Sequence, residues 1–249
     1  GVYARMGRSG SPYAALDFFQ ADPGLAEFDE RATPADQFVE LADALHARGA
    51  RLLLDIAINH TGWASAIHRH HPEWLKRDPD GRIRSPGAWG VTWSDLTELD
   101  HARPDVWRYF AEVFLAWCRL GADGFRCDAG YMIPCAEWEY ITARVRREFP
   151  DTLFLLEGLG GELRVTRDLL SRGNLNMAYS ELFQNYSREQ VEDCLRLNLD
   201  IARTDGMPIH IAETHDNNRL AARSQLFARL RTSLCALAST HGAFGFANG

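Results

Sequence analysis

The sequence predicts an α/β fold on a parallel sheet, either closed as a barrel or open and doubly wound, and three observations carry that prediction. Amphipathic helices alternate with short, mostly apolar strands along most of the chain. The 249 residues allow a single β/α barrel, which takes about 250, and leave two small domains open as well. Ionisable side chains gather where successive apolar strands end, the face on which such folds build their sites.

The elements follow in order. Residues 34 to 48 carry Phe38, Leu41, Ala42 and Leu45 on one helical face, opened by Thr33, Pro34 and Asp36 and stopped by Gly49. Arg51 to Ile58 is a short run, apolar after Arg51 except for Asp55, of the kind buried on both sheet faces. A helix near 105 to 120 ends at Gly121, and a strand spans Asp123 to Asp128. A helix near 136 to 149, a strand at Thr152 to Leu156 and a short helix near 162 to 172 come next. A strand at Met177 to Phe183 precedes a helix opened by the capping box of Ser187 and Gln190. A strand at Pro208 to Ala212, a helix with Phe227, Leu230, Leu234 and Leu237, and a strand at Ala243 to Ala247 close the chain.

Residues 61 to 103 break this rhythm: they are rich in His, Pro, Gly, Asp and Trp without a period, and read as a long excursion after the first strand. Trp63, Trp74, Trp89 and Trp93 fall there, and most of them are expected to form the excursion's own small core. His68, His70 and His71 read as a solvated loop, not a metal site.

With 46% hydrophobic and 24% charged residues the composition is globular, which excludes disorder as the dominant state. A formal net charge of −7 offers no broad attraction to phosphate backbones or anionic lipid, so neither nucleic acid nor a membrane is an expected partner. The 5 cysteines are scattered, without a C-x-x-C pair, which argues against a disulfide framework or zinc cluster and for the reducing cytoplasm. The chain shows neither an apolar run long enough for a membrane span nor a basic-then-apolar leader. Opening on Gly1 and closing within an apolar stretch, it is expected to be a piece of a longer protein.

The strand ends carry Asp55, Asn59 and His60, then Arg126 and Asp128, then Glu157, then His215 and Asp216. Polar strand ends are common singly, but four together imply convergence on one site. Asp128 and Glu157 lie one β/α unit apart, at the mouths of adjacent strands. Retaining cleavage of a glycosidic bond needs two such carboxyls about 5 to 5.5 Å apart. Arg126, two residues before Asp128, points to the same side of its strand and can hold that carboxylate ionised and oriented. Glu157 ends a wholly apolar strand with no fixed cation beside it in sequence, a setting that suits a proton donor with a raised pKa.

The segments Asp55-Ile-Ala-Ile-Asn-His60, Gly124-Phe-Arg-Cys-Asp128, Leu155-Leu-Glu157 and Thr214-His-Asp216, in this order, resemble the four sequence regions of the α-amylase family of retaining glycoside hydrolases and transglycosylases. The resemblance implies a (β/α)₈ TIM barrel that is incomplete here, with strands three to eight read and strands one and two upstream, so that residues 1–249 form a single truncated catalytic domain. It implies Asp128 as nucleophile, Glu157 as acid/base and Asp216 as the carboxylate gripping two hydroxyls of the distorted sugar. His60 and His215 would hydrogen-bond that sugar, and Tyr13, in Gly10-Ser-Pro-Tyr-Ala14, would stack on it. Asp55 and Asn59 would support the site. No cofactor is required for this chemistry. Asn59 matches a calcium ligand of amylases, but partner carboxylates cannot be placed in the excursion, which leaves calcium open.

The implied substrate is an α-1,4-linked glucan or maltooligosaccharide, cleaved by double displacement; the oligomeric state is not readable. In many family members Ala-x-Lys-His follows the nucleophile, whereas Ala129-Gly-Tyr-Met132 stands here, so the acceptor side differs. That difference keeps an α-glucan transglycosylase, such as a 4-α-glucanotransferase or maltosyltransferase, as the alternative. A carbohydrate-binding scaffold without catalysis is disfavoured by the presence of all three carboxylates.

Overall fold

The computed structural model describes residues 3–5 and 11–247. Gly1, Gly10 and Gly249, on which parts of the sequence reading fall, lie outside them. The chain divides into two compact units, Gly1–Phe154 and Leu155–Gly249.

In the first unit β1 (Tyr3–Arg5) pairs antiparallel with β2 (Ala15–Ala21), two strands that no periodicity predicts. Helix α1 (Pro34–His46) begins as read, with Thr33 and Asp36 exchanging both bonds of a capping box behind Pro34. Strand β3 (Leu53–Ala57) follows, and β4 (His60–Gly62) puts His60 in a strand of its own. The excursion is not structureless: it holds α2 (Ala66–His70), a hairpin of β5 (Gly87–Ala88) and β6 (Val91–Thr92), and β7 (Leu96–Glu98), which pairs antiparallel with β4. Salt bridges from Lys76 and Arg84 to Glu98, at 2.8 and 2.9 Å, fasten its strands. The His cluster is likewise no solvated loop. His68 sits in α2, bonded to Thr97 Oγ1 at 2.8 Å, and His71 stacks on Trp74 at 3.8 Å.

Helix α3 (Pro104–Arg119) buries Val106, Phe110, Val113, Phe114 and Trp117. Strand β8 (Gly124–Asp128) runs parallel to β3 in full register, and α4 (Cys135–Arg146) follows. Phe114 packs edge-on against Phe125 at 4.5 Å and against Trp138 at 6.1 Å, and Phe38 against Trp117 at 5.0 Å. This aromatic layer sits behind β8 and fixes its opposite face toward the site. Gly124 has to be glycine: a Cβ there would lie 2.4 Å from the Leu153 carbonyl oxygen.

Of the four excursion tryptophans only Trp74 is buried; Trp63 and Trp89 are exposed and Trp93 is half-buried, contrary to the expectation of a shared core. Trp89 and Gly90 form the two-residue tip between β5 and β6, with φ of 49° and 78°. That backbone suits Asn-Gly, and a bulky residue in it costs about 1 to 2 kcal/mol.

The division between the units falls within β9 (Leu153–Leu156). In the second unit β9, β10 (Met177–Tyr179), β11 (Met207–His210) and β12 (Ala243–Phe244) pair in parallel in that order. Helices α5 (Leu163–Ser171), α6 (Arg188–Thr204), α7 (Leu220–Arg223) and α8 (Gln225–Ala238) lie between them in sequence, α6 opened by the Ser187 and Gln190 box. All four strands are shorter than read, β9 by Thr152 alone. The chain leaves β10 after Tyr179 for a 3-10 turn, because Leu182 turns away to pack with Ala212 and Cys235 while its carbonyl takes a bond from Arg231 at 2.5 Å. Strand β11 starts one residue earlier and stops at His210, and β12 stops at Phe244. The strands β3 and β8 through β12, parallel and separated by helices, are those of a partial β/α barrel. Among the described residues no helix is long and apolar enough to cross a membrane.

Candidate active site

Strand alternation sends Phe125 and Cys127, both 0% exposed, into the aromatic layer and turns Arg126 and Asp128 to the other face. Register places Asp55 of β3 opposite Arg126. Arg126 Nη1 donates to Asp55 Oδ1 at 2.8 Å and to Asp128 Oδ1. Tyr13 arrives from a distant segment, its hydroxyl donating to Asp55 Oδ2 at 2.7 Å and accepting from Arg126 Nη1 at 3.3 Å. Burial alone would lower the Arg126 pKa, but the two carboxylates outweigh it and hold it raised. The Tyr13 phenol is pushed up by burial first and by Asp55 second, so it stays a donor. One cation thus serves two carboxylates, and Asp128 is oriented from behind. Ala129 follows in the left-handed region, φ 45°, and leads into the turn Gly130–Met132, whose Gly130 carbonyl accepts from Trp138 Nε1 at 3.0 Å.

His60 is 2% exposed, and neither ring nitrogen has a side-chain hydrogen-bond partner among the described residues. Its ring meets the edge of Trp93 at 6.1 Å. Burial pushes its pKa down to about 4, offset only in part by the Tyr13 backbone and Asp95, so the imidazole is neutral. The sign of the linkage follows. An unfolded chain protonates this histidine near pH 6.5 and the fold refuses the proton until about 4. Stability is therefore full above pH 6.5 and is lost as pH falls through that window, by up to about 3 kcal/mol. Denaturant unfolding between pH 4 and 7 should show this slope, and His60→Gln should flatten it; an equal slope in the variant would assign it elsewhere.

Asn59 is buried beside His60, its amide donating to Met132 Sδ at 3.3 Å and its Oδ1 without a partner among the described residues. Calcium takes six to eight oxygens. Among the described residues no group of three or more Asp, Glu, His or Cys side chains is placed to hold a metal.

In the second unit Glu157 follows β9, half-buried, with its Oε1 accepting from the Leu159 N–H at 3.2 Å. Thr214, His215 and Asp216 lie beyond β11 in a loop, where the Asp216 N–H donates to Thr214 Oγ1 at 3.3 Å. The His215 ring lies 3.6 Å from the Asp216 carboxylate, and both side chains are mostly exposed. The structure therefore gathers Tyr13, Asp55, Arg126 and Asp128 into one cluster, sets Asn59 and His60 on the adjoining segment, and leaves His215 and Asp216 on a loop.

Two contacts escaped the sequence reading. Glu181 accepts from the Gly160 N–H at 2.7 Å and ties down the loop after Glu157. Trp93 caps His60. Neither stands near its partner in sequence, and the excursion's aromatic content was the one available signal.

No family model matches the chain. It is 28% identical over 244 residues to the alpha-1,4-glucan:maltose-1-phosphate maltosyltransferase of Cereibacter sphaeroides, covering 96% of this chain and 36% of that protein. It is 25% identical to the intracellular maltogenic amylase of Bacillus subtilis, covering 86% of this chain and 38% of that one. A crystallised α-amylase from Lactobacillus plantarum superposes with a TM-score of 0.77 at 28% identity, over 98% of this chain and 60% of that one. This chain is related to the α-amylase family. As an α-amylase relative it spans well under half the length of those two curated proteins. Its fold is part of a TIM barrel, which an α-amylase from Geobacillus thermoleovorans, 18% identical with a TM-score of 0.76, also supports.

Proposed function

We propose that this chain carries the catalytic machinery of a retaining enzyme acting on α-1,4-linked glucans or maltooligosaccharides. The observation that supports the reading most is the cluster in which Arg126 holds Asp128 and Asp55 together on adjoining strand ends. In the first step an Asp128 carboxylate oxygen bonds to the anomeric carbon as the glycosidic bond breaks, and Glu157 gives its proton to the departing oxygen. In the second, Glu157 takes a proton from water or a sugar hydroxyl, which displaces Asp128 and regenerates both groups. His60, neutral and buried, suits a partner for a hydroxyl of the reacting sugar, and we assign His215, Asp216 and Tyr13 to the same ring. The chemistry needs no cofactor. We place the protein in the cytoplasm, in line with its scattered cysteines, which lack a C-x-x-C pair, and its intracellular relative.

Two inversions leave the anomeric configuration unchanged, so the first-formed product should be α. An early NMR time course on maltoheptaose reads this directly; predominant β product would remove the nucleophile role from Asp128 and the acid/base role from Glu157.

Transfer to a sugar instead of water is the second reading. Tyr131 and Met132 replace the Lys-His pair of many family members, and Asn59 fastens Met132 in that place. A maltosyltransferase is among the relatives. Chain lengths redistributed without new reducing ends would favour it over hydrolysis.

A further inference from the structure

Trp89 is the residue that the fold does least to explain. A two-residue hairpin tip with both φ values positive selects Asn, Asp or Gly, because a side chain with a Cβ crowds its own backbone there. Trp89 occupies that tip at φ 49° and gains nothing from it, since 73% of the residue faces solvent. Its neighbour Val91 is 60% exposed. The arm itself is firmly built. The Trp93 N–H donates to the Pro86 carbonyl at 2.8 Å, Pro86 is buried, and a Cβ on Gly87 would lie 2.3 Å from the Val91 carbonyl oxygen. Strain held on a rigid arm with an exposed ring at its end points to use by a ligand.

The position of the arm indicates which ligand. Its base is Trp93, whose ring lies against His60 of the candidate active site. Trp89 stands four positions before Trp93, a reach of at most about 14 Å. A glucan held at His60 can extend over that distance. Trp63, 40% exposed, has its indole nitrogen fixed to the Ser94 carbonyl at 3.0 Å and adds a second ring beside the same segment. A glucosyl ring presents an apolar face of C–H groups and a polar edge of hydroxyls. The flat, exposed indole matches the first and leaves the second in water.

We propose that the Gly87–Thr92 hairpin is an arm that binds the glucan chain away from the bond being broken, with the Trp89 indole stacking on a glucosyl unit. This assignment rests on the glucan reading of the site. Trp89 makes its contact equally in ground and transition states, so it acts on KM for long substrates and leaves kcat and short substrates alone.

The test compares wild type, Trp89→Gly and Trp89→Tyr on maltotriose and maltoheptaose. Trp89→Gly should raise KM for maltoheptaose about tenfold, with kcat and the maltotriose constants unchanged. Relief of the left-handed backbone should raise its melting temperature by about 2 to 4 °C. Trp89→Tyr, which keeps a flat ring, should stay within about threefold of wild type. If wild type processes neither sugar, the glucan reading and the arm fall together. If wild type processes both and Trp89→Gly leaves the maltoheptaose KM alone, the arm falls while the reading stands. A change of oligomeric state in Trp89→Gly, seen by size-exclusion chromatography without a KM change, would make the tip a protein contact and also overturn the proposal.

Discussion

Asp128→Asn should abolish turnover, by about 10⁴-fold or more, while leaving the fold intact. The carboxamide keeps the size of the carboxylate and can still accept a bond from Arg126, whose charge remains matched by Asp55 at 2.8 Å. It cannot form a stable ester with the anomeric carbon. Circular dichroism and the unfolding midpoint should therefore stay near wild type as the rate disappears. Wild-type-like rates would sink the nucleophile assignment. A collapse of stability would show instead that Asp128 serves mainly to balance Arg126.

Glu157→Gln should lose about 10² to 10⁴-fold on natural glucans, the span expected when a positioned proton donor is removed. A maltosyl fluoride, whose leaving group needs no proton, should recover much of the first step. The second step still lacks its base, so a burst followed by slow turnover is expected, with the glycosyl-enzyme accumulating. Azide, a nucleophile that needs no deprotonation, should then release it. Equal losses on fluoride and glucan would mean that Glu157 is not the acid.

Much of the frame was legible because its signals are local. Thr33 with Asp36 and Ser187 with Gln190 lie three residues apart, and both boxes form as written. The pairing of Arg126 with Asp128 follows from strand alternation alone. What could not be read depends on distant partners. Tyr13 reaches Asp55 across 42 residues, and the three-residue strands β4 and β7 are too short for any period to show. Leu182 and Phe183 read as strand because both are apolar, yet Leu182 belongs to a turn that packs against Cys235. The tryptophans failed for a related reason. Composition puts an indole in a core, but backbone conformation at a hairpin tip put Trp89 outside it.

The single guanidinium nitrogen that Arg126 shares between two acids gives the cluster an odd count of charges. With both acids ionised it holds one cation against two anions, a local surplus of one negative charge. In the mechanism we propose, an oxocarbenium-like centre, positive as it forms, would meet that surplus. An ester to Asp128 would remove one anion and leave Arg126 and Asp55 as a neutral pair. The covalent stage of that mechanism would then be the electrically balanced one, and departure of the sugar would restore the imbalance. Asp55, which never touches the bond in that scheme, would determine how much of the guanidinium's charge is left over for Asp128.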